Sequence, residues 1–437
     1  MVEIKGLTKE NILKISEHKK ERDWVKDYRL KSYEYFEKMN KDLPFGPKFK
    51  LNFDDIIYYK SATDELTDDW SKVMKPIKSE LDKLGVLESE QYMAGMGVQY
   101  ESEVIYHNML KELESKKVIF TSIDNAIKEH QDLVKKYFGK IVKNTDNLYS
   151  ALNSSVFSGG SFIYIPPHTK LDRPLQSYFR INSKGMGQFE RTLIIVDDDS
   201  ELHYIEGCTA PTYATSSLHA AVVEIYVGKN SKCRYTTIQN WAPNVYNLVT
   251  KRAVVEENGT MEWIDGNIGS KLTMKYPCCI LKGDNSTGTC ISIAVASHGQ
   301  IQDAGARMIH LGKNTNSKIV SKSISKSGGN ATYRGDVKIK EEARGSYSMI
   351  KCDTLILDKD SISDTIPTNI VSNNTSSIEH EATVSKINDT NIFYLESKGI
   401  PKEMCEELII LGFLEDFRKE LPMEYAVELN QILKRNL

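Results

Sequence analysis

A chain of 437 residues is long enough for two or three domains and a large buried core. Its 57 basic and 60 acidic side chains nearly cancel, leaving a net charge of −3, and no basic run is interleaved with aromatics, so nucleic acid is not an expected partner. MVEIKGLTKENILK has no apolar stretch of the secretory kind, and no window reaches the roughly 20 apolar residues of a membrane span, so the expectation is a cytoplasmic protein without membrane contact.

Residues 1–150 read as a mostly helical domain. ENILKISEHKKERDWVKDYRLKSYEYFEKM keeps apolar residues at helical spacing, and 101–115 repeats the pattern with Val104, Ile105, Met109, Leu110 and Leu113. A short strand, VIFT, precedes a further helix that starts after Ser122, a suitable N-cap. From 151 to 392 the pattern changes to short β-branched runs (FIYI, TLIIV, VVEIYV, RYTTI, AVVEE, KIVSKSI) separated by polar turn words. Those words are DDDS (197–200), GKNS (228–231), EENG (256–259), KGDN (282–285), GKNT (312–315), EEARG (341–345) and DKDS (358–361). They begin 31, 28, 26, 30, 29 and 17 residues apart, and a recurrence near 28 carried by strands points to a stacked β-solenoid. A β-sandwich built of regular short strands is the structural rival. Residues 393–437 return to helix, with Pro401 and Pro422 each placed to open one; these helices either cap the open end of the solenoid or bind a partner.

Seven cysteines, with no C-x-x-C pair and none before Cys208, form neither a disulfide framework nor an ordinary zinc or ferredoxin site. Cys352 and the triplet Glu379-His380-Glu381 share one β region and supply a soft thiolate, an imidazole and two carboxylates, a donor set suited to iron and sulfur. A cysteine in surroundings such as SMIKCDTLIL is more often a small buried hydrophobe, but Cys352 precedes His380 by 28 residues, about one repeat, which would set the two on neighbouring coils. Alternation along a strand puts Glu379 and Glu381 on one face and His380 on the other, and the cost of a buried unpaired carboxylate turns the glutamates outward or to a bulge. The bland alternative is a core histidine between two solvated glutamates.

Cys208 in YIEGCTAP follows Gly207, which permits a close approach, and precedes Pro211, which ends the strand. Arg180 and Asn182 share strand parity, as do Gln239 and Trp241. Arg180 and Lys251 can stabilise a sulfur anion, Asn182 and Gln239 can donate hydrogen bonds to it, and Trp241 can exclude water. The alternative is that all five are satisfied interior polar groups bracing the fold. Gly305 to Gly312-Lys313-Asn314 only faintly imitates a phosphate-binding loop, with six residues between the glycines and Asn314 in place of Ser/Thr, so no nucleotide site is expected. Cys278 and Cys279 point to opposite faces, and Cys233, Cys290 and Cys405 read as core. His203, His219, His298 and His310 are dispersed and read as structural or solvated.

SYFRIN (177–182), GQFERT (187–192), YIEGCTAP (204–211), IQNWAP (238–243), NLVTKR (247–252), MIHLGKN (308–314), YRG (333–335), KCDT (351–354) and EHEAT (379–383) together resemble the SufB family, in the same order. The resemblance implies a right-handed parallel β-helix with helical flanks, acting as a non-enzymatic scaffold of the SUF machinery for iron–sulfur cluster assembly. It implies that Cys208 first receives persulfide sulfur, that Arg180, Asn182, Gln239, Trp241 and Lys251 lie between the two thiols, and that Cys352, Glu379, His380 and Glu381 serve the nascent cluster, of the [4Fe-4S] kind. The implied partners are a SufC-like ATPase, a SufD-like paralogue or second copy of this chain, and a SufE- or SufU-like sulfur carrier with its cysteine desulfurase. Reduced flavin belongs to the same implied set. The short N-terminal cysteine cluster of many SufB relatives is absent, so its role is not carried over. A SufD-like structural partner without its own cluster is the first rival, opposed by EHEAT and KCDT together; a secreted polysaccharide-cleaving β-helix is the second, opposed by the free thiols.

Overall fold

The computed structural model describes residues 2–39, 46–62, 67–82, 90–387, 389–421 and Leu429. Its core is a β-solenoid of about eight turns. One ten-stranded and one twelve-stranded sheet face each other, and neighbouring coils pair in parallel. Parallel pairing rules out the sandwich, whose sheets are antiparallel. Antiparallel pairs occur at the N-terminal side, for example Gly95–Tyr100 with Glu103–Met109 and Ile119–Ser122 with Ser161–Ile165.

The recurring turn words have a physical cause. Asp199, Asn230, Asn258, Asn285 and Asn314 occupy equivalent corners, all with left-handed backbone at φ between 53° and 59°, which Asn and Asp tolerate better than branched residues. Their side chains also stack as a ladder. Asn230 donates to Asp199 at 3.0 Å, Asn258 to Asn230 at 2.9 Å and Asn285 to Asn258 at 3.2 Å. DKDS falls out of step because it turns a different corner, between Tyr347–Ile356 and Ile362–Val371.

Helices cover both outer faces. Ile12, Ile15, Phe36, Leu148 and Leu152 pack on Leu218, Leu248 and Leu272 of the twelve-stranded sheet. The Arg191–Glu224 pair, 2.7 Å apart and fully buried, ties this layer down, because Glu224 also accepts from the backbone of Gly139, Ile141 and Val142. On the opposite face Ile410, Leu414, Phe417 and Leu421 cover Ile205, Ile238, Ile264 and Ile293. The C-terminal helices therefore flank the solenoid instead of capping its end, since the outward isoleucines of successive strands form an apolar stripe that must be buried. The helix expected at Pro422 lies outside the described residues.

Residues 101–115 depart from their helical reading. Glu103–Met109 is a strand and only Lys111–Ser115 is helical. Its apolar spacing suits a helix, but Gly95–Tyr100 offers it a ladder of backbone hydrogen bonds, and tertiary pairing overrides the periodicity. Gly95–Tyr100 also pairs with Leu175–Arg180, so the ten-stranded sheet begins within the N-terminal region. Among the described residues no helix is long and apolar enough to cross a membrane.

Among the described residues no further strand pairs with the far end of the solenoid. Ile362–Val371 and Ser377–Lys386 are the last strands of their sheets, with Ile362, Ile366, Ile370, Val371 and Val384 exposed.

Candidate functional site

Cys208 sits inside the solenoid, fully buried, on Glu201–Thr209. Gly207 faces the other way, where an added Cβ would stand 2.9 Å from the Tyr178 ring, so only glycine lets that ring cross the strand. The Cys208 thiol donates to Glu206 Oε1 at 3.7 Å, and Tyr235 donates to the other oxygen of Glu206. Lys251 Nζ lies 3.7 Å from both Glu206 and Asp265 and donates to Thr237 Oγ1 at 2.6 Å. Lys275 Nζ is 3.0 Å from Asp265 and 2.9 Å from Gln239 Oε1. All these side chains are buried.

Burial pushes the Cys208 thiol well above its ordinary range, as do Glu206 and Glu190, while Lys251 and Lys275 pull the other way. Burial likewise drops Lys275 to about 8 against the opposing pull of Asp265. For Asp265 burial acts upward, but Lys275 and Lys251 more than offset it and hold the carboxyl low. The wall beside this chamber carries His219, which pairs with Glu190 and Asn247 and packs its ring 4.7 Å from that of Trp241. Gln239 Nε2, Trp241 Nε1, Glu190 Oε2 and Asn267 Oδ1 are buried polar atoms without a protein hydrogen-bond partner.

Two adjacent interior rows run from this chamber towards the far end. Register aligns Glu206, Thr237, Asp265, Ser292, Ser321 and Cys352 as consecutive rungs of one row. Cys208, Gln239, Asn267, Ala294, Ser323 and Thr354 form the next. The first row is polar or thiol-bearing at every rung, and it lies beside an interior core that includes Ile194, Val223, Tyr235 and Trp263. Five strand spacings separate the levels of the two thiols, about 24 Å.

Cys352 lies one coil below that far end. Its thiol is 3.9 Å from His380 Nε2 on the last strand, and Asn369 lies 3.2 Å from the other ring nitrogen. The register offsets them by two positions, Cys352 facing Ala382 and His380 facing Ile350, so the contact runs diagonally. Burial pushes the Cys352 thiol up to about 12, opposed by the neighbouring Tyr333 hydroxyl. Glu379 and Glu381 are exposed on the outer face, where Glu379 accepts from Tyr347 at 2.7 Å. The strand alternates as its sequence implies, so the four expected cluster residues split into an inward Cys352–His380 pair and an outward pair of carboxylates. No group of three or more metal-binding side chains forms among the described residues.

The other expected residues also divide. Gln239 is the register neighbour of Cys208, Trp241 follows it on the same face, and Lys251 stands opposite. Arg180 is paired in register with Thr209, one position past Cys208, and donates to the Thr209 hydroxyl at 3.0 Å, so it faces away from the thiol. Asn182 lies past the strand end; its amide donates to Glu101 at 3.2 Å and its carbonyl accepts from Tyr213. Cys278 and Cys279 part as expected, with Cys279 in the interior core and Cys278 in register with Arg252 and Arg307. Reading from sequence missed Glu206, Asp265, Lys275 and the Glu190–His219 pair. A usable signal was present: Glu206 has the parity of Cys208, and Asp265 follows Trp263-Ile264 with the parity of the core residues Met261 and Trp263.

Residues 179–413 match the family described as SUF system FeS cluster assembly, SufBD core domain, and residues 58–177 match the SufBD protein N-terminal region. The chain is 58% identical over 431 residues to the iron–sulfur cluster assembly protein SufB of Bacillus subtilis (strain 168), covering 98% of this chain and 93% of that protein. It is equally similar, over the same shares, to an iron–sulfur cluster assembly SufBD family protein of Staphylococcus aureus (strain MRSA252). The chain belongs to the SufB family of SUF-system iron–sulfur cluster assembly proteins.

Proposed function

We propose that this chain is the scaffold on which an iron–sulfur cluster is built and from which it is handed on, without hydrolytic chemistry of its own. The observation that carries this reading is the polar row that starts beside Cys208 and ends on Cys352. Cys208 receives sulfur as persulfide from a SufE- or SufU-like carrier charged by a cysteine desulfurase. About 24 Å is too far for one thiol to attack a persulfide on the other. Two electrons from a reductant such as reduced flavin therefore cleave the Cys208 persulfide, regenerate the thiol and release sulfide. The sulfide travels along the row, where Lys251 and Lys275 offset its negative charge. Cys352 and His380 hold the growing cluster as soft and borderline donors, and Glu379 and Glu381 attract iron at the rim.

The last described coil, with its exposed isoleucines, is the face for a SufD-like paralogue or a second copy of this chain, which would complete a ligand set that this chain leaves at two inward donors. A SufC-like ATPase supplies the energy and binds the C-terminal helices, where Phe393, Tyr394, Met404 and Leu408 are exposed. Such a scaffold works in the cytoplasm. The alternative, a SufD-like structural partner, is disfavoured by the Cys352–His380 contact.

The two thiols are tested with two sulfur sources, reading iron and sulfide per protein in the full complex. Cys352→Ser is expected to lose cluster formation with either source. Cys208→Ser is expected to fail with desulfurase and carrier yet succeed with free sulfide. Normal cluster yield in Cys352→Ser would overturn the scaffold reading, and equal failure of Cys208→Ser with free sulfide would remove its role as first acceptor.

A further inference from the structure

We propose that Glu206 is the base that takes the proton of the Cys208 thiol as sulfur arrives; this rests on the reading of Cys208 as the first sulfur acceptor. Glu206 and Cys208 are two residues apart on one strand, so both side chains enter the same chamber. The thiol already donates to Glu206 Oε1 at 3.7 Å. The other carboxylate oxygen is taken by the Tyr235 hydroxyl, which leaves Oε1 to face the sulfur with Lys251 Nζ 3.7 Å away. Glu206 is only 2% exposed, so its carboxylate is held against the thiol instead of turning to solvent.

The surrounding charges single this residue out. Tyr204, Tyr235, Lys251 and Lys275 all act on Glu206 or on the thiol. Of the remaining carboxylates, Glu190 is committed to His219, and Asp265 to Lys275. A thiol held protonated by burial is a poor nucleophile until its proton leaves.

The step balances without an outside oxidant or reductant. The S–H bond of Cys208 breaks and its proton passes to Glu206 Oε1. The thiolate attacks the terminal sulfur of the carrier's persulfide, a new sulfur–sulfur bond forms on Cys208, and the carrier's bond breaks. The carrier leaves as a thiolate, so the sulfane oxidation level moves from carrier to Cys208. Lys251 remains beside the anion and offsets its charge.

The test is single-turnover transfer of isotopically labelled sulfur to the full complex from a carrier charged by its cysteine desulfurase, followed by mass spectrometry between pH 6.5 and 9. Loss of a general base slows such a step by roughly 100-fold or more. Glu206→Gln is expected to show that loss near pH 7 and to regain rate as pH rises; Glu206→Asp, with the carboxylate drawn back, is expected to fall between it and the parent. Glu206→Gln also removes a negative charge that disfavours the thiolate, so if Glu206 acted only as a charge or a brace, the variant would transfer at an equal or faster rate. That result would overturn the proposal. Both variants are compared by thermal unfolding, and Glu206→Asp decides the matter should Glu206→Gln not fold: a rate equal to the parent overturns it as well. Failure of the underlying reading looks different, because label would then appear on another residue of the parent protein.

Discussion

The two thiols of the solenoid occupy opposite kinds of place. Cys208 is enclosed on every side, and the charges around it are matched within the chain: Glu206 with Lys251, Asp265 with Lys275, Glu190 with His219. Cys352 is covered by a single coil whose outer edge has no further strand among the described residues. Its sulfur lies 3.9 Å from one imidazole, and Glu379 and Glu381 point outward. An enclosed thiol with matched charges is arranged for chemistry controlled from within. A thiol at an open apolar rim suits the proposed completion by a second solenoid.

This contrast can be broken first where its energy is largest. Asp265→Ala strands Lys275 in the interior and leaves Lys251 only Glu206, and removing one member of a buried ionic group typically costs about 3–5 kcal/mol. Glu381→Ala at the exposed rim is expected to stay within about 0.5 kcal/mol of the parent. Denaturant titration of both variants checks the pair, and similar losses would erase the distinction.

A middle effect is expected at the rim. Ile366 and Ile370 are 41% and 47% exposed on one side of Ile362–Val371, and replacing both by Lys places charge on the apolar face without emptying the core. Association with the second solenoid subunit is expected to weaken by roughly 30-fold, about 2 kcal/mol, with thermal stability of the free chain nearly unchanged. Sedimentation of the purified complex reads this directly, and undiminished association would place the partner elsewhere.

The smallest effect uses a polar group remote from both thiols. His310, at a corner, bonds Thr315 and Ser317 at 2.8 and 2.9 Å, and burial drops its pKa to about 4. The unfolded chain then binds more protons than the folded one between pH 6.5 and 4, so stability falls on acidification through that window. Between pH 6.5 and 5.5 the loss is about 1 kcal/mol, and His310→Gln is expected to flatten the melting temperature against pH by that amount. An unchanged slope would assign the acid sensitivity to other groups.

Much of the fold was legible because the corners write themselves into the chain. Asn or Asp recurs at equivalent left-handed corners, and that spacing favours the solenoid over a sandwich, with the family words deciding between them. Alternation on Ser377–Lys386 sets Glu379 and Glu381 on one face and His380 on the other, a local property readable from the string itself. The strand at 103–109 was not legible, because its apolar residues fit a helix and only its neighbour decides otherwise. The flanking position of the C-terminal helices was equally hidden, since it depends on isoleucines from separate coils lining up on one outer face.

The site divides in the same way. Identity of the two thiols, the family words and the parity within each strand were present in the one-dimensional chain, because alternation is a local property of extended backbone. Register between coils is not local. It is settled by corner lengths and the ladders they allow, and it alone puts Glu206 and Cys352 in one row, turns Arg180 away from Cys208, and brings Lys275 beside Asp265. A buried charge survives only next to its counter-charge, and that partner comes from another strand, as Lys251 does for Glu206 and Lys275 for Asp265.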